Sequence, residues 1–247
     1  MASIEIFPSD VELIQSAAAR FIQLAKRNIA SKGKFTVALS GGGTPRPVYA
    51  ALGEPENSCQ VDWTKTHLFW GDERPVPPSD PESNFRMVKE VLLDRIEIPE
   101  ANIHRVHTEM DVRLAAFQYE EELRQSFNGD WPDFDLVYLG MGDDGHTASL
   151  FPHSAGLNED HRWFIANYAP GRKSWRLTLT ANAINAAKTV LVLVKGKEKA
   201  GILKTVLTGP QDHQAYPIQM IKPVTGEMVW LVDEDAARLL PDNLILK

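Results

Sequence analysis

The sequence predicts an α/β protein with a single three-layer α/β/α domain, residues 1–247, in which helices flank a mostly parallel, Rossmann-like sheet. Three observations lead to this fold class. Short apolar segments of strand length alternate with segments whose apolar residues recur at helical spacing. Several strand-like segments run directly into glycine-containing loops, as the strands of βαβ units do. No repeat, low-complexity tract or linker divides the chain.

Capping and breaking residues set the order of the elements. Ser9 and Glu12 have the spacing of a capping box, and Gly33 is placed as the C-cap of the same helix. Pro45 suits the first position of a second helix, which runs to about residue 52. The predicted strands are 35–39, 67–70, 134–140, 163–168, 175–180, 189–194 and 229–232. The remaining predicted helices are 83–94, 111–127, 196–207 and 233–240.

Charge and cysteine content narrow the class of partners. The formal net charge is -7, so nucleic acid is not expected as a partner, because phosphate backbones are bound by basic surfaces. Cys59 is the only cysteine, which excludes an intrachain disulfide and suits a reducing compartment such as the cytoplasm. The N-terminus lacks the pattern of a signal peptide, and no stretch reaches transmembrane length. We expect a cytoplasmic protein without a membrane partner, either a monomer or a homodimer.

Three predicted strands end in polar loops that contain glycine: 40–44, 71–74 and 140–149. In open α/β sheets, ligands bind beyond the carboxyl ends of the strands. Because parallel strands bring these ends to one edge, we expect the three loops to form a common substrate pocket.

The first loop has the features of a phosphate cradle. It comprises Ser40, Gly41, Gly42, Gly43 and Thr44, and it lies between a strand and a helix. Backbone N–H groups at a helix N-terminus suit an anion, and a threonine hydroxyl can donate a further hydrogen bond. The loop lacks the Walker A and dinucleotide-binding patterns. The alternative interpretation is a tight strand-to-helix turn that needs glycine only for its backbone angles.

Cationic side chains near the strand ends are candidates for completing a phosphate site. Arg74 follows the second strand, where a guanidinium could hold a phosphate in bidentate fashion. An internal ion pair with Asp72 or Glu73 is the alternative. Arg176 and Lys199 are further candidates. Lys199 belongs to a lysine-rich segment, however, and such segments more commonly form a solvated surface cluster.

His146, in the third loop, is the candidate general base, because imidazole ordinarily exchanges a proton near neutral pH. Asp144 either orients that ring or serves only in the turn, and a purely structural loop histidine is the alternative. No His-x-x-x-His or cysteine pairing indicates a metal site. No Gly-x-Ser-x-Gly motif is present, which disfavours covalent serine hydrolysis.

With these motifs in place, the chain closely resembles 6-phosphogluconolactonases over essentially its whole length. The matching segments are 40–45, 71–74 with 80–84, 140–152, 176–180, 196–199 and 229–233. The segment around His146 is the most specific. Gly43 stands where the family often has serine, a departure that a backbone cradle tolerates. The resemblance implies the NagB/RpiA/CoA transferase-like fold and a small phosphosugar lactone as substrate, without a cofactor or metal.

The implied reaction is hydrolysis of 6-phospho-D-glucono-1,5-lactone to 6-phospho-D-gluconate in the oxidative pentose phosphate pathway. In this hypothesis the glycine-rich loop and Arg74 hold the phosphate, helped by Lys199 and Arg176. His146 takes a proton from the attacking water. Two alternatives stay open at this stage: a glucosamine-6-phosphate deaminase/isomerase and a non-enzymatic sugar-phosphate sensor. The first lacks support because residues 147–152 replace the Asn-Glu pattern of those isomerases, and the second because a sensor has no need of the His146 base.

Overall fold

The computed structural model describes residues 2–244. In this range the strands are β1 (Ala2–Phe7), β2 (Phe35–Leu39), β3 (Thr66–Trp70), β4 (Asp72–Glu73), β5 (Ile103–His104), β6 (Leu136–Gly140), β7 (Phe164–Ala169), β8 (Ser174–Leu179), β9 (Thr189–Val194) and β10 (Glu227–Asp233). The α-helices are α1 (Asp10–Lys32), α2 (Arg46–Gly53), α3 (Pro55–Ser58), α4 (Asn84–Val91), α5 (Val112–Ser126), α6 (Ala181–Asn185), α7 (Ala200–Thr208) and α8 (Glu234–Ala237).

Seven strands form one sheet in the order β1-β10-β9-β6-β2-β3-β5, and all of its neighbouring strands are parallel. The predicted α/β class with a mostly parallel sheet is therefore confirmed. Strands β6, β2 and β3 are adjacent, so the loops that follow their carboxyl ends lie side by side at one edge. A second sheet, β4-β8-β7, is antiparallel and begins just after β3.

The main core lies on the faces of the parallel sheet. Every residue of β2 and β9 is buried, as expected for strands that are covered by helices on both faces. Phe21 of α1 packs edge-on against Phe35 of β2, with ring centroids 5.2 Å apart. Burying one such large apolar side chain contributes about 1.5–3 kcal/mol, and this rigid support fixes the strand ends from which the loops emerge.

The first helix begins and ends as its capping residues predict. The Ser9 hydroxyl accepts a hydrogen bond from the backbone N–H of Glu12, and Gly33 adopts the left-handed conformation with φ of 80°. The buried residues of α1 recur on one face of the helix: Leu13, Ala17, Ala18, Phe21, Ile22, Leu24 and Ala25. Helix α2 differs slightly from the prediction, because Pro45 is its N-cap and the helix starts at Arg46.

Strand β1, the antiparallel sheet and the short elements α3, β4, β5 and α6 were not predicted. Strand β1 pairs with β10, and Ala2 lies opposite Met228. Its alternation of polar and apolar residues is brief, as is typical of an edge strand. In the antiparallel sheet, β7 and β8 correspond to the predicted strands 163–168 and 175–180, but their antiparallel pairing was not predicted. Helix 83–94 is also shorter than predicted, because α4 ends at Val91 and is followed by a 3-10 turn, Leu93–Arg95.

Candidate active site

The three predicted loops meet around a cavity of about 210 Å³. The residues that line it come from the ends of the adjacent strands and from the start of α7: Ser40, Gly41, Gly42, Gly43, Thr44, Pro45, Asp72, Arg74, Gly140, Met141, Gly142, His146, Ala148 and Lys199. Size alone does not identify this cavity, because a groove of about 440 Å³ lies beside α5. That groove contains none of the three loops, so we place the candidate site at the smaller cavity.

Ser40 anchors the glycine-rich loop to the core. The buried hydroxyl of Tyr49 accepts a hydrogen bond from the Ser40 N–H at 3.0 Å and donates one to the Ser40 carbonyl at 3.1 Å. Burial raises the pKa of Tyr49, so its hydroxyl keeps the proton that this donation needs. The Ser40 Oγ is itself buried without a partner among residues 2–244. A buried hydroxyl without a partner is costly, and here it lies at the wall of the cavity.

Two glycines of this loop are required by the geometry. A Cβ on Gly41 would lie less than 3.0 Å from the Asn84 side chain, so only glycine lets the loop approach the start of α4. Gly42 has φ of 100°, a conformation that side-chain-bearing residues rarely adopt. Close packing therefore accounts for glycine at position 41, and the backbone conformation accounts for glycine at position 42.

Glu73 holds the second loop in place from inside the protein. Its buried carboxylate accepts hydrogen bonds from the N–H groups of Arg74, Asn84 and Phe85 at 2.7–2.8 Å and from the Ser83 hydroxyl at 3.3 Å. Burial raises the pKa of Glu73, while these hydrogen bonds act in the opposite direction. The carboxylate thus joins the N-terminus of α4 to the loop that carries Arg74, the candidate phosphate ligand.

Replacing Glu73 by Gln should lower the free energy of unfolding by about 1–3 kcal/mol, because the amide nitrogen cannot accept the hydrogen bonds that one carboxylate oxygen receives. Denaturant unfolding measures this change. Glu109→Gln is the matched control, since Glu109 forms only an exposed ion pair with Arg105, and its loss should cost less than about 1 kcal/mol. Equal stability losses in the two variants would contradict the bracing role of Glu73.

Arg74 lines the cavity and does not form the internal ion pair that was the alternative. Its Nη1 donates to the carbonyl of Glu82 at 2.5 Å, and among residues 2–244 its guanidinium makes no salt bridge with Asp72 or Glu73. Glu73 instead receives the backbone N–H of Arg74. The guanidinium is therefore held by a neutral carbonyl, and its charge remains available to an anion.

Lys199 lines the cavity, whereas Arg176 lies beside it. The Nζ of Lys199 donates to the Met141 carbonyl at 3.0 Å and also contacts the exposed carboxylate of Asp143. Arg176 lies on β8 and donates to Ser174 and to the carbonyl of Trp175. Burial and the nearby Arg74 lower the pKa of Arg176. The charges of Arg74 and Arg176 thus repel one another, and a bound anion would lessen that repulsion.

His146 and Asp144 are in direct contact. The Nδ1 of His146 lies 2.5 Å from the Asp144 carboxylate, and the same oxygen accepts the His146 backbone N–H at 3.1 Å. Burial opposes ionisation of Asp144, but its hydrogen bonds with His146 prevail and bring its pKa to about 2. Asp144 therefore stays ionised across the neutral range. Its carboxylate both shapes the turn and faces the imidazole, so the two alternatives for Asp144 are compatible.

The imidazole is also fixed from its other sides. Its ring stacks on Phe151, with centroids 4.4 Å apart and planes inclined by 25°. Gly142 donates its N–H to the His146 carbonyl at 2.9 Å, and a Cβ on Gly142 would lie less than 3.0 Å from Nδ1. Gly145, with φ of 76°, closes the turn. In this turn, Nδ1 of His146 is hydrogen-bonded to Asp144, whereas Nε2 has no hydrogen-bond partner among residues 2–244.

The structure also brings in residues that the sequence did not single out for this site. Asp72 lines the cavity with its side chain buried, and it had been considered only as a partner for Arg74. Arg46 lies in an adjoining cleft of about 310 Å³ that shares Gly42, Gly43 and Arg74 with the cavity. Arg46 directly follows Pro45 at the start of helix α2, and this position could have indicated from the sequence that Arg46 lies near the site.

Two kinds of feature are absent from the described range, residues 2–244. No three His, Cys, Asp or Glu side chains come together there in a way that would hold a metal ion. No helix in the same range has the length and apolar character needed to cross a bilayer.

Comparisons with known proteins agree on one family. Residues 8–230 match the family model described as glucosamine-6-phosphate isomerases/6-phosphogluconolactonase. The 6-phosphogluconolactonase of Nostoc sp. is 40% identical over 238 residues, which cover 95% of this chain and 96% of that protein. The crystal structure of 6-phosphogluconolactonase from Thermotoga maritima superposes with a TM-score of 0.82 at 32% identity, covering 94% of this chain and 100% of that one. A monomeric glucosamine-6-phosphate deaminase, at 21% identity and a TM-score of 0.80, shares the fold; the alignment covers 96% of this chain and 99% of that one.

Proposed function

Because the chain belongs to the family of glucosamine-6-phosphate isomerases and 6-phosphogluconolactonases, we propose that it hydrolyses 6-phospho-D-glucono-1,5-lactone to 6-phospho-D-gluconate. The reaction is the lactone-opening step of the oxidative pentose phosphate pathway. The observation that carries the proposal is the imidazole of His146, paired with Asp144 and facing the same cavity as the glycine-rich loop. A base and an anion cradle that line one small cavity suit a substrate with a reactive carbonyl at one end and a phosphate at the other.

The phosphate end of the substrate binds to the glycine-rich loop and Arg74. The N–H groups of residues 40–44 at the start of α2 donate hydrogen bonds to it, and the Thr44 hydroxyl adds another. Arg74 supplies a charge that no carboxylate among residues 2–244 neutralises, with Lys199 and Arg176 as further cations. Anchoring the remote phosphate positions the lactone carbonyl, so that binding energy is used for orientation at the reacting carbon.

Proton transfer takes place at His146. The ionised Asp144 accepts a hydrogen bond from Nδ1–H, which fixes the imidazole in the tautomer that has a lone pair on Nε2. Nε2 takes a proton from water as the water oxygen forms a bond to the lactone carbonyl carbon. The carbonyl becomes an oxyanion, which the N–H groups of the glycine loop or a cationic side chain stabilise.

Ring opening completes the reaction. The oxyanion reforms the carbonyl, the bond between the carbonyl carbon and the ring oxygen breaks, and the imidazolium returns its proton to that oxygen. The product carries a carboxyl group and a new hydroxyl, and His146 is again neutral. No covalent intermediate with the protein is needed, in agreement with the absence of a serine nucleophile motif from the sequence.

One set of assays tests the proposal against its two alternatives. The purified protein is supplied with freshly prepared 6-phosphogluconolactone, and acid release is followed by titration at constant pH after subtraction of spontaneous hydrolysis. We expect release of acid well above that background and no ammonia from glucosamine 6-phosphate. Ammonia release would favour the deaminase reaction. Binding of 6-phosphogluconate in calorimetry without any acid release from the lactone would favour the sensor.

Replacing Arg74 by Ala should raise KM for the lactone about 10–100-fold and lower kcat by a smaller factor, because charge-assisted hydrogen bonds to the phosphate contribute about 1.5–3 kcal/mol. Steady-state kinetics of acid release measures both constants. Arg113→Ala is the matched control: Arg113 lies over the Trp175 ring in the separate groove beside α5, and its loss should leave KM unaltered. An unaltered KM in Arg74→Ala would contradict the phosphate role.

A further inference from the structure

We propose that Asp72 is a specificity-determining residue whose carboxylate binds a hydroxyl group of the sugar. The inference rests on the proposed lactonase function and adds to it a determinant for the polyhydroxylated part of the substrate. Among the residues of the described range that line the cavity, Asp72 is the only carboxylate, and its neighbours there include Arg74, His146 and Lys199. Its side chain is the acceptor that a neutral hydroxyl donor would seek in an otherwise cationic cavity.

The fold holds the Asp72 carboxylate in a fixed position. The residue lies on β4, where it pairs with Thr178 of β8, and it is 7% exposed. The hydroxyl of Ser149 donates to Oδ2 at 2.7 Å, and the amide of Asn84 donates to Oδ1 at 3.3 Å and to the Asp72 carbonyl at 2.8 Å. These hydrogen bonds restrain the carboxylate at the wall of the cavity.

The carboxylate has acceptor capacity that the protein does not use. An ionised carboxylate offers about four lone-pair sites, and two donors occupy only part of this capacity. Among residues 2–244, Asp72 forms no salt bridge with a Lys, Arg or His side chain. A buried carboxylate with unused acceptors and no cationic partner is costly to keep, so a donor from the substrate would repay part of that cost.

A negative charge near a phosphate site also needs a reason. It weakens anion binding, and a neutral residue of the same size would serve phosphate affinity better. A buried carboxylate does, however, favour ligands that carry a hydroxyl group over ligands that lack it, because a ligand without the hydroxyl leaves the buried acceptor unpaired. Selectivity for a hydroxylated lactone is thus the property that Asp72 adds to the cavity.

The test compares Asp72→Asn with the wild type on four substrates: 6-phosphogluconolactone and its analogues that lack the hydroxyl at C2, C3 or C4. On the parent lactone, Asp72→Asn should lower kcat/KM about 10–100-fold. On the one analogue that lacks the hydroxyl bound by Asp72, the variant and the wild type should differ by less than about threefold, because the interaction is already lost. A uniform loss on all four substrates would overturn the inference.

Ser149→Ala provides a second variant in case Asp72→Asn does not fold. It keeps the charge and removes only the 2.7 Å hydrogen bond that holds the carboxylate. Its smaller loss of kcat/KM should disappear on the same analogue, and a loss of equal size on every substrate would again overturn the inference. Wild-type protein that fails to hydrolyse the parent lactone would instead refute the proposed function, so the two failures are distinguishable.

Discussion

Replacing His146 by Ala should lower kcat for 6-phosphogluconolactone by about 10²–10⁴-fold, the usual contribution of one positioned acid–base group. The structure suggests a value toward the upper end of that range. The imidazole is held by the Asp144 carboxylate at Nδ1 and by stacking on Phe151, so its orientation is already set before the substrate binds. A preorganised base loses little entropy in the transition state, and its removal is correspondingly costly.

The same substitution should leave the affinity for phosphate largely intact, because the glycine-rich loop and Arg74 belong to other strand ends. Calorimetric titration with 6-phosphogluconate measures this affinity alongside the kinetics. His161→Ala is the matched control: the His161 side chain is 88% exposed and lies outside the cavity, so its loss should not alter kcat. Equal turnover by His146→Ala and the wild type would refute the role of His146.

Replacing Gly142 by Ala should lower kcat about 10–100-fold although the reacting groups are all retained. The added Cβ would lie less than 3.0 Å from the His146 ring and from the Asp144 carboxylate. Gly142 has no positive φ, so the backbone accepts alanine and the strain falls on these two side chains. The ring and the carboxylate must shift to make room, and a displacement of about 1 Å at a catalytic group is enough to lower the rate about 100-fold.

Kinetics and thermal unfolding together separate this effect from a general loss of structure. Gly201→Ala is the matched control, since a Cβ at Gly201 on α7 meets no atom within 4 Å. That variant should keep full activity, with stability raised by up to about 1 kcal/mol from the helix propensity of alanine. A kcat for Gly142→Ala equal to that of the wild type would contradict the claim that close packing of the imidazole against residue 142 is needed for turnover.

Local signals explain which elements of the fold were predictable. The capping box and C-cap glycine of α1, and the β-branched run of β9, are contained within the segments themselves, and the structure confirms both. Strand β1 depends on β10, more than 200 positions away, and the antiparallel sheet depends on pairing between β4 and β8. Neither pairing leaves a local trace in the sequence, because register is decided by distant partners.

The same distinction applies to the site. Parallel strands and glycine-containing loops were sufficient to predict that the segments 40–44, 71–74 and 140–149 would meet, and the structure brings them to one cavity. Asp72 was not identified as part of its wall, because the burial of its carboxylate depends on Ser149, 77 positions away, and on Asn84. The lowered pKa of Asp144 likewise follows from its contact with His146, not from a motif.

The most direct test of the account compares the wild-type protein on two lactones that differ only in the phosphate. Acid release from 6-phospho-D-glucono-1,5-lactone and from D-glucono-1,5-lactone is titrated at constant pH, and spontaneous hydrolysis is subtracted from each rate. We predict saturable hydrolysis of the phosphorylated lactone, with kcat/KM at least about 100-fold higher than for the other, because the anchored phosphate positions the carbonyl at His146. Equal rates on the two lactones, or no acceleration of either, would contradict the account.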